Sequence, residues 1–351
     1  MIDIRDGLEV YRERPVPTSW KVPAFFCNDW IALRLCDLCR EIGVDQPFHI
    51  AFGAPRSAWS GGRPSVVATE LDDATLDAYF SAYAERNLTV ALTLSRLDVD
   101  PATYDDPYCL RLLEFAERYR AEIILFDLDL ADHIRSLHPD LRLICSLNRA
   151  MVDYKDGFGG RDEEAYYRAL FERFDEVVIR CEFAQDRARL ESLSDLADRC
   201  EIITNQFCVP NCKNVYRHVS SMENWDHAAA PQACYNKHLA SDISCRLCGN
   251  LHFSNRQINE FAQMGYTKMK LAGRNAPIPK FLTMMSEYIF EPTGIISFMR
   301  EELSREYQAE SQRCGGQLPP FSLPAPLQLQ SAQVEPAKAS GFARAPRRSI
   351  A

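Results

Sequence analysis

Short runs of apolar and β-branched residues recur along the chain at 22–27, 48–53, 88–94, 122–126, 141–146, 176–180, 201–205 and 267–271. Most are nearly continuous in hydrophobicity, the signature of parallel strands covered on both faces. Between them lie stretches with apolar residues at helical spacing. Residues 30–42 carry Ile31, Leu35, Leu38 and Ile42, and 106–120 place Leu110, Leu113 and Phe115 on one side. Residues 73–85, 162–174, 185–199 and 255–264 read as helices too. Eight strands with helices between them predict a (β/α)8 TIM-like barrel rather than an open doubly wound sheet. The barrel is expected over about residues 20–306, after an N-terminal extension over 1–20.

Two regions break this rhythm. The connection 206–252, between the seventh and eighth strands, is oversized, and long connections in compact domains tend to be functional. Over 312–351, Pro319, Pro320, Pro324, Pro326, Pro336 and Pro346 stand among Ala, Ser and Gln. Such a tail cannot bury enough apolar surface to order itself and is expected to be disordered.

The chain is 46 % hydrophobic and 25 % charged, the balance of a globular protein. A net charge of −9 argues against general nucleic-acid binding, which needs concentrated Lys and Arg. The first residues show neither a basic n-region nor an apolar h-region, and no apolar run approaches the roughly 20 residues that span a bilayer. The expected setting is the cytoplasm, away from membranes, where thiols stay reduced.

That setting gives weight to five cysteines within 208–248: Cys208, Cys212, Cys234, Cys245 and Cys248. Four thiolates can close a zinc tetrahedron or hold an iron–sulfur cluster. Cys208/Cys212 with Cys245/Cys248 fit two paired zinc knuckles loosely, and unliganded thiols are the third reading. A radical-SAM triad would need a further cysteine at 215, where the chain has Val. His218, His227, His238 and His252 lie in or beside the same loop, each first a polar loop residue or substrate contact and second a replacement for one sulfur. Cys27, Cys145 and Cys181 sit in apolar runs and read as small buried hydrophobes.

The segments 201–212, ending Asn205-Gln206-Phe207-Cys208-Val209-Pro210-Asn211-Cys212, then Tyr216-Arg217-His218, and finally 265–274, ending Lys270-Leu271-Ala272-Gly273-Arg274, carry a resemblance. In their order they resemble the family catalogued as peptidase U32, over about residues 201–275. The resemblance implies a TIM-like barrel holding a [4Fe–4S] cluster on four cysteines. It also implies oxygen-independent hydroxylation as the reaction type, within a bacterial family. The implied ligands are Cys208, Cys212, Cys234 and Cys248, with Cys245 as the alternative fourth, and Zn2+ is the alternative metal. Relatives often carry Asn-Glu before the first cysteine, whereas this chain has Asn205-Gln206, so any role of that carboxylate is lost or moved. Neither H-E-x-x-H nor G-x-S-x-G supports the older peptidase label.

Strand ends at the barrel mouth supply the remaining candidates. Arg149, Arg180 and Arg274, with Asn205 and His218, are expected to bind a small acidic or aromatic substrate, since guanidinium grips carboxylate or phosphate in a fork. Glu182 or Asp127 would move a proton. The competing reading pairs Arg149 and Arg180 with Asp127 and Glu182 in an internal salt-bridge ring. Asp127 and Asp129 share a face if the strand runs on through them. Gly157-Phe158-Gly159-Gly160, which fits no P-loop, reads as a loop or lid. The first functional reading is thus an iron–sulfur oxidoreductase of hydroxylase type. The second is a binding or partner subunit, as in a heterodimer, whose cluster or zinc only staples the loop. Peptide hydrolysis is a distant third.

Overall fold

The computed structural model describes residues 18–60, 70–206, 211–212, 214–223, 251–274, 276, 278–290 and 308. Eight parallel strands close into a barrel in sequence order: β1 Ser19–Val22, β2 Ile50–Gly53, β3 Thr89–Leu94, β4 Glu122–Leu125, β5 Arg142–Cys145, β6 Glu176–Ile179, β7 Cys200–Ile203 and β8 Lys268–Lys270. Ser19 pairs with Lys268, which joins the first strand to the last and leaves no sheet edge. Residues 1–17 of the expected extension, the tail and most of 206–252 lie outside the described residues, and the last residues of the extension, Ser19 and Trp20, belong to β1.

Helices cover the outside: α1 Asp29–Ile42, α2 Asp73–Ala84, α3 Pro107–Arg118, α4 Leu128–Leu137, α5 Leu147–Lys155, α6 Glu163–Leu170, α7 Cys181–Ala184, α8 Arg187–Ser192, α9 Val215–Glu223, α10 Asn255–Gln263 and α11 Ile278–Tyr288. Several start on a side-chain cap that satisfies an otherwise orphaned N–H. Asp72 accepts from Thr75, Asp106 from Cys109 and Asp162 from Ala165. Ser254 and Gln257 form a reciprocal capping box. No helix among the described residues is long and apolar enough to cross a membrane.

Seven strands fall where the hydrophobic runs predict them. The first does not: β1 is Ser19–Val22, and most of the expected 22–27 run forms a turn with Phe26 at φ 59°. Ala24, Phe25 and Phe26 are nonetheless buried, so their hydrophobicity reports a turn packed into the core. Gly53 makes that turn possible, because a Cβ there would sit 1.7 Å from the Phe25 carbonyl oxygen.

Other differences are local. The expected 185–199 helix is α8 followed by a 3-10 stretch, Ser194–Arg199. The fourth strand stops at Leu125, so Asp127 and Asp129 do not continue it. Asp127 is the N-cap of α4, its carboxylate accepting from the Leu130 N–H, and Asp129 lies in the helix's first turn. The shared strand face is thereby overturned, because capping a helix is the stronger local use of an aspartate after a strand.

The barrel interior departs from the usual branched apolar filling. At its N-terminal end Lys21 Nζ lies 2.6 Å from Glu176, 2.8 Å from Glu122 and 2.8 Å from Glu201. Lys268 reaches Glu176, Lys270 reaches Glu201, and Arg142 joins Glu122 to Glu176. The register places these side chains on one face: Glu122 opposite Arg142, Glu201 opposite Lys268, and Lys21 opposite Lys270. Burial pulls the Lys21 ammonium down, but three carboxylates outweigh it and hold the group above its ordinary range.

Candidate functional site

At the opposite, C-terminal end the strand ends and βα-loops form the mouth, where barrel enzymes build their sites. On its β6 side lies a cavity of about 480 Å³ lined by Tyr154, Phe158, Glu163, Arg180, Glu182 and Asn211, with Gln185, Asp186 and Arg189 of the α7–α8 region. That volume is within the range of small-molecule sites.

Arg180 is the centre of this cavity wall. It caps α7, and its backbone N–H donates to the Tyr167 hydroxyl at 2.9 Å. Its guanidinium lies 3.8 Å from the Tyr154 ring centroid, donates to Glu163 at 3.0 Å and also donates to Asn211 Oδ1. Glu182 lies 3.4 Å from the same guanidinium and accepts from the Asn211 backbone N–H at 2.6 Å. Glu163 also takes Arg189 at 3.0 Å. Burial raises the Glu163 carboxyl, and the two arginines offset part of that rise.

The Gly157–Gly160 segment supplies one wall. Residues 157–160 all have positive φ, a run that three glycines make affordable and that turns Phe158 inward to 8 % exposure. The segment is therefore a tight turn that builds the cavity.

The other candidates sit apart. Arg149 pairs with Asp153 at 2.7 Å and lies over the Phe126 ring. The salt-bridge ring thus exists for Arg180 and Glu182, but Arg149 belongs to Asp153 rather than Asp127. Asp127 is held by its helix cap and by the Tyr104 hydroxyl. Asn205 is fully buried and clamps the ends of β7 and β8: its Nδ2 donates to the Ala272 carbonyl, and its Oδ1 accepts from the Ala272 N–H. Arg274 reaches across the mouth to donate to Thr93 Oγ1. Below it Lys270 lies 4.5 Å from the Phe52 ring centroid. Burial lowers the Lys270 ammonium; Glu201 opposes this, while Lys21 and Arg274 add to it.

Of the five clustered cysteines, Cys212 is described and is a half-buried free thiol; Cys208, Cys234, Cys245 and Cys248 lie outside the described residues. His227 and His238 lie outside them as well. His218 is half-buried on α9, which packs beside α5, and Tyr216 of the same helix donates to Asp98 at 2.9 Å. The two ends of the cysteine segment are joined. Gln206 N–H donates to the Leu251 carbonyl, Phe253 N–H donates to Thr204, and Asn205 bridges His252 in antiparallel fashion. By contrast Cys36, Cys39, Cys109, Cys145, Cys181 and Cys200 are buried. Burial pushes the thiols of Cys39, Cys109 and Cys200 up to about 12, making them poor thiolates and core-filling groups.

Sequence patterns carried no sign of Tyr154, Glu163 or Arg189 as site residues. Tyr154 and Glu163 sit on ordinary amphipathic helices, whereas Arg180, Glu182 and the Gly157 motif marked the cavity wall in the sequence.

No family model matches the chain, and no curated protein matches it. Among solved structures, the chain is similar to the U32 peptidase Mk0906 at 11 % identity and TM-score 0.45, over 76 % of this chain and 97 % of that one. It is also similar to a Galdieria sulphuraria structure provisionally named a glycerophosphodiester phosphodiesterase, at 12 % identity and TM-score 0.38, over 78 % and 99 %.

Proposed function

We propose that the chain is an iron–sulfur oxidoreductase of hydroxylase type, acting on a small acidic or aromatic substrate at the barrel mouth. The carrying observation is the closed stem of the cysteine segment. Backbones two residues before Cys208 and three residues after Cys248 are hydrogen-bonded to each other. A segment with five thiols whose ends meet beside the mouth suits a soft metal centre, and the half-buried free thiol of Cys212 suits it as well. Cys208, Cys212, Cys234 and Cys248 would hold a [4Fe–4S] cluster, with Cys245 as the alternative fourth. Bound there, the cluster supplies one-electron transfer.

The chain's own residues supply the rest. Arg274, which donates to Thr93, brings a guanidinium to the mouth, a group that grips an anionic substrate in a fork. Glu182 Oε2 makes no hydrogen bond among the described residues, which leaves an oxygen able to hold a proton at the cavity wall. Tyr154, exposed at the cavity wall, offers ring surface to an aromatic substrate beside the guanidinium that stacks on it.

One observation favours the second reading, a metal-stapled binding or partner subunit. Arg180 is 2 % exposed and engaged by Glu163 and Asn211, so it holds the loop more than it awaits a substrate. Anaerobic purification followed by a visible spectrum and iron and sulfide counts separates the cluster from zinc. About four irons and four sulfides per chain with charge-transfer absorption are expected for the cluster. A colourless protein holding one zinc would sink the redox reading.

A further inference from the structure

We infer that Arg180 and Glu182 are positioning residues for a metal-ligating Cys212, gripping the peptide immediately before it from the rigid end of β6. This rests on the metal-site reading above.

Asn211 has φ 54°, a left-handed conformation that Asn tolerates better than other non-glycine residues. Two groups hold it there. Glu182 Oε1 accepts its backbone N–H at 2.6 Å, and the Arg180 guanidinium donates to its side-chain oxygen. Arg180 is in turn fixed at both ends. Its backbone donates to Tyr167, its guanidinium stacks on Tyr154, and its second nitrogen donates to Glu163 at 3.0 Å. Arg189 anchors the far oxygen of Glu163. The chain of contacts runs from strand β6 and helices α5, α6 and α8 to one residue, and the next residue is Cys212.

This arrangement does what an outer shell does for a metal. It would fix the approach of Cys212 through the residue before it, and the Arg180 guanidinium held on Asn211 would offset the negative charge that metal-bound thiolates bring. A lysine keeps the charge but cannot serve Glu163, Asn211 and a stacked ring through one planar fork. The clamp also explains why two mouth residues with the chemistry of substrate binding and proton transfer are turned toward the loop.

The test uses the full chain reconstituted anaerobically with ferrous iron and sulfide, and in parallel with zinc alone. Iron and sulfide content, the rate of metal loss to a chelator, the midpoint potential and a melting curve are measured. Arg180→Gln, Glu182→Gln and Asn211→Gly are expected to lose metal about 10- to 100-fold faster than wild type. Arg180→Gln should also shift the potential downward, because a cation that favours the reduced cluster is gone, and Arg180→Lys should recover most of that shift. Arg173→Gln, which breaks a surface pair with Asp132, should release metal at the wild-type rate. Folded Arg180→Gln and Glu182→Gln proteins that hold metal as long as wild type overturn the inference and leave the metal-site reading standing. A wild type that binds neither cluster nor zinc overturns both. Should Arg180→Gln fail to fold, Glu182→Gln and the exposed Asn211→Gly decide it by the same rates.

Discussion

The two ends of the barrel each carry an ion network, and they are built differently. At the N-terminal end every partner stands on a strand: Lys21, Glu122, Arg142, Glu176, Glu201, Lys268 and Lys270. Their separations are set by strand register, and Glu176 and Glu201 are essentially inaccessible. At the C-terminal end Arg180 alone follows a strand directly. Glu163, Glu182, Arg189 and Asn211 come from helices and the long connection. The first network ties six of the eight strands to one another, whereas the second fastens an inserted segment to the finished barrel. Ionic chemistry alone does not reveal a functional site; the element each charge stands on does.

The largest test of that contrast is Lys21→Met, which leaves three carboxylates facing one another without their shared ammonium. Breaking a buried network this way should cost about 3–5 kcal/mol in chemical denaturation. Arg180→Gln should cost less, about 1–3 kcal/mol, because Arg189 still pairs with Glu163 and the cavity admits water. Equal losses would erase the distinction between the two ends.

Next in size is the acid response. Burial alone would raise the Glu176 carboxyl, but Lys21 and Lys268 hold it well below the usual glutamate range. It therefore stays ionised in the fold where the unfolded chain is already protonated. The stability it contributes is present above about pH 4.5 and is lost as pH falls below that. Glu176→Gln should flatten the acid limb of a stability–pH profile, and an unchanged limb would remove Glu176 from the account.

The smallest effect is expected for Arg149→Gln. Its pair with Asp153 is four residues away on one helix and partly solvated, worth about 0.3–0.5 kcal/mol. A loss above about 2 kcal/mol would mean that Arg149 belongs to a larger network than its contacts with Asp153 and Phe126 suggest.

Much of this fold is legible in the chain. Seven strands stand out because parallel strands inside a helical shell are apolar on their outward faces and nearly so on the inward ones. The missed strand teaches the limit. The expected run starts at Val22, after the charged Lys21, yet Lys21 points into the barrel, where three glutamates from distant strands neutralise it. The helices α4 and α5 are also easy to miss, since each begins at once after its strand on an Asp127 or Ser146 cap. At the site, Arg180, Glu182 and Arg274 are visible as charged residues near strand ends, and the Arg180–Glu182 pairing with them, but Glu163, Asn211 and Thr93 as their further partners are not.

The sequence by itself determined the barrel, the cysteine-bearing connection after the seventh strand and the residue types at its mouth. These are local matters of periodicity, spacing and chain order. Only the tertiary structure decided which charges meet. Arg180 was free on paper to bind a substrate, and Asn205 to face one. Folding turned the first onto Glu163, Tyr154 and Asn211 and the second onto Ala272. The physical reason is that a buried charge or amide must find a partner, and the strongest available ones come from elements far away in sequence.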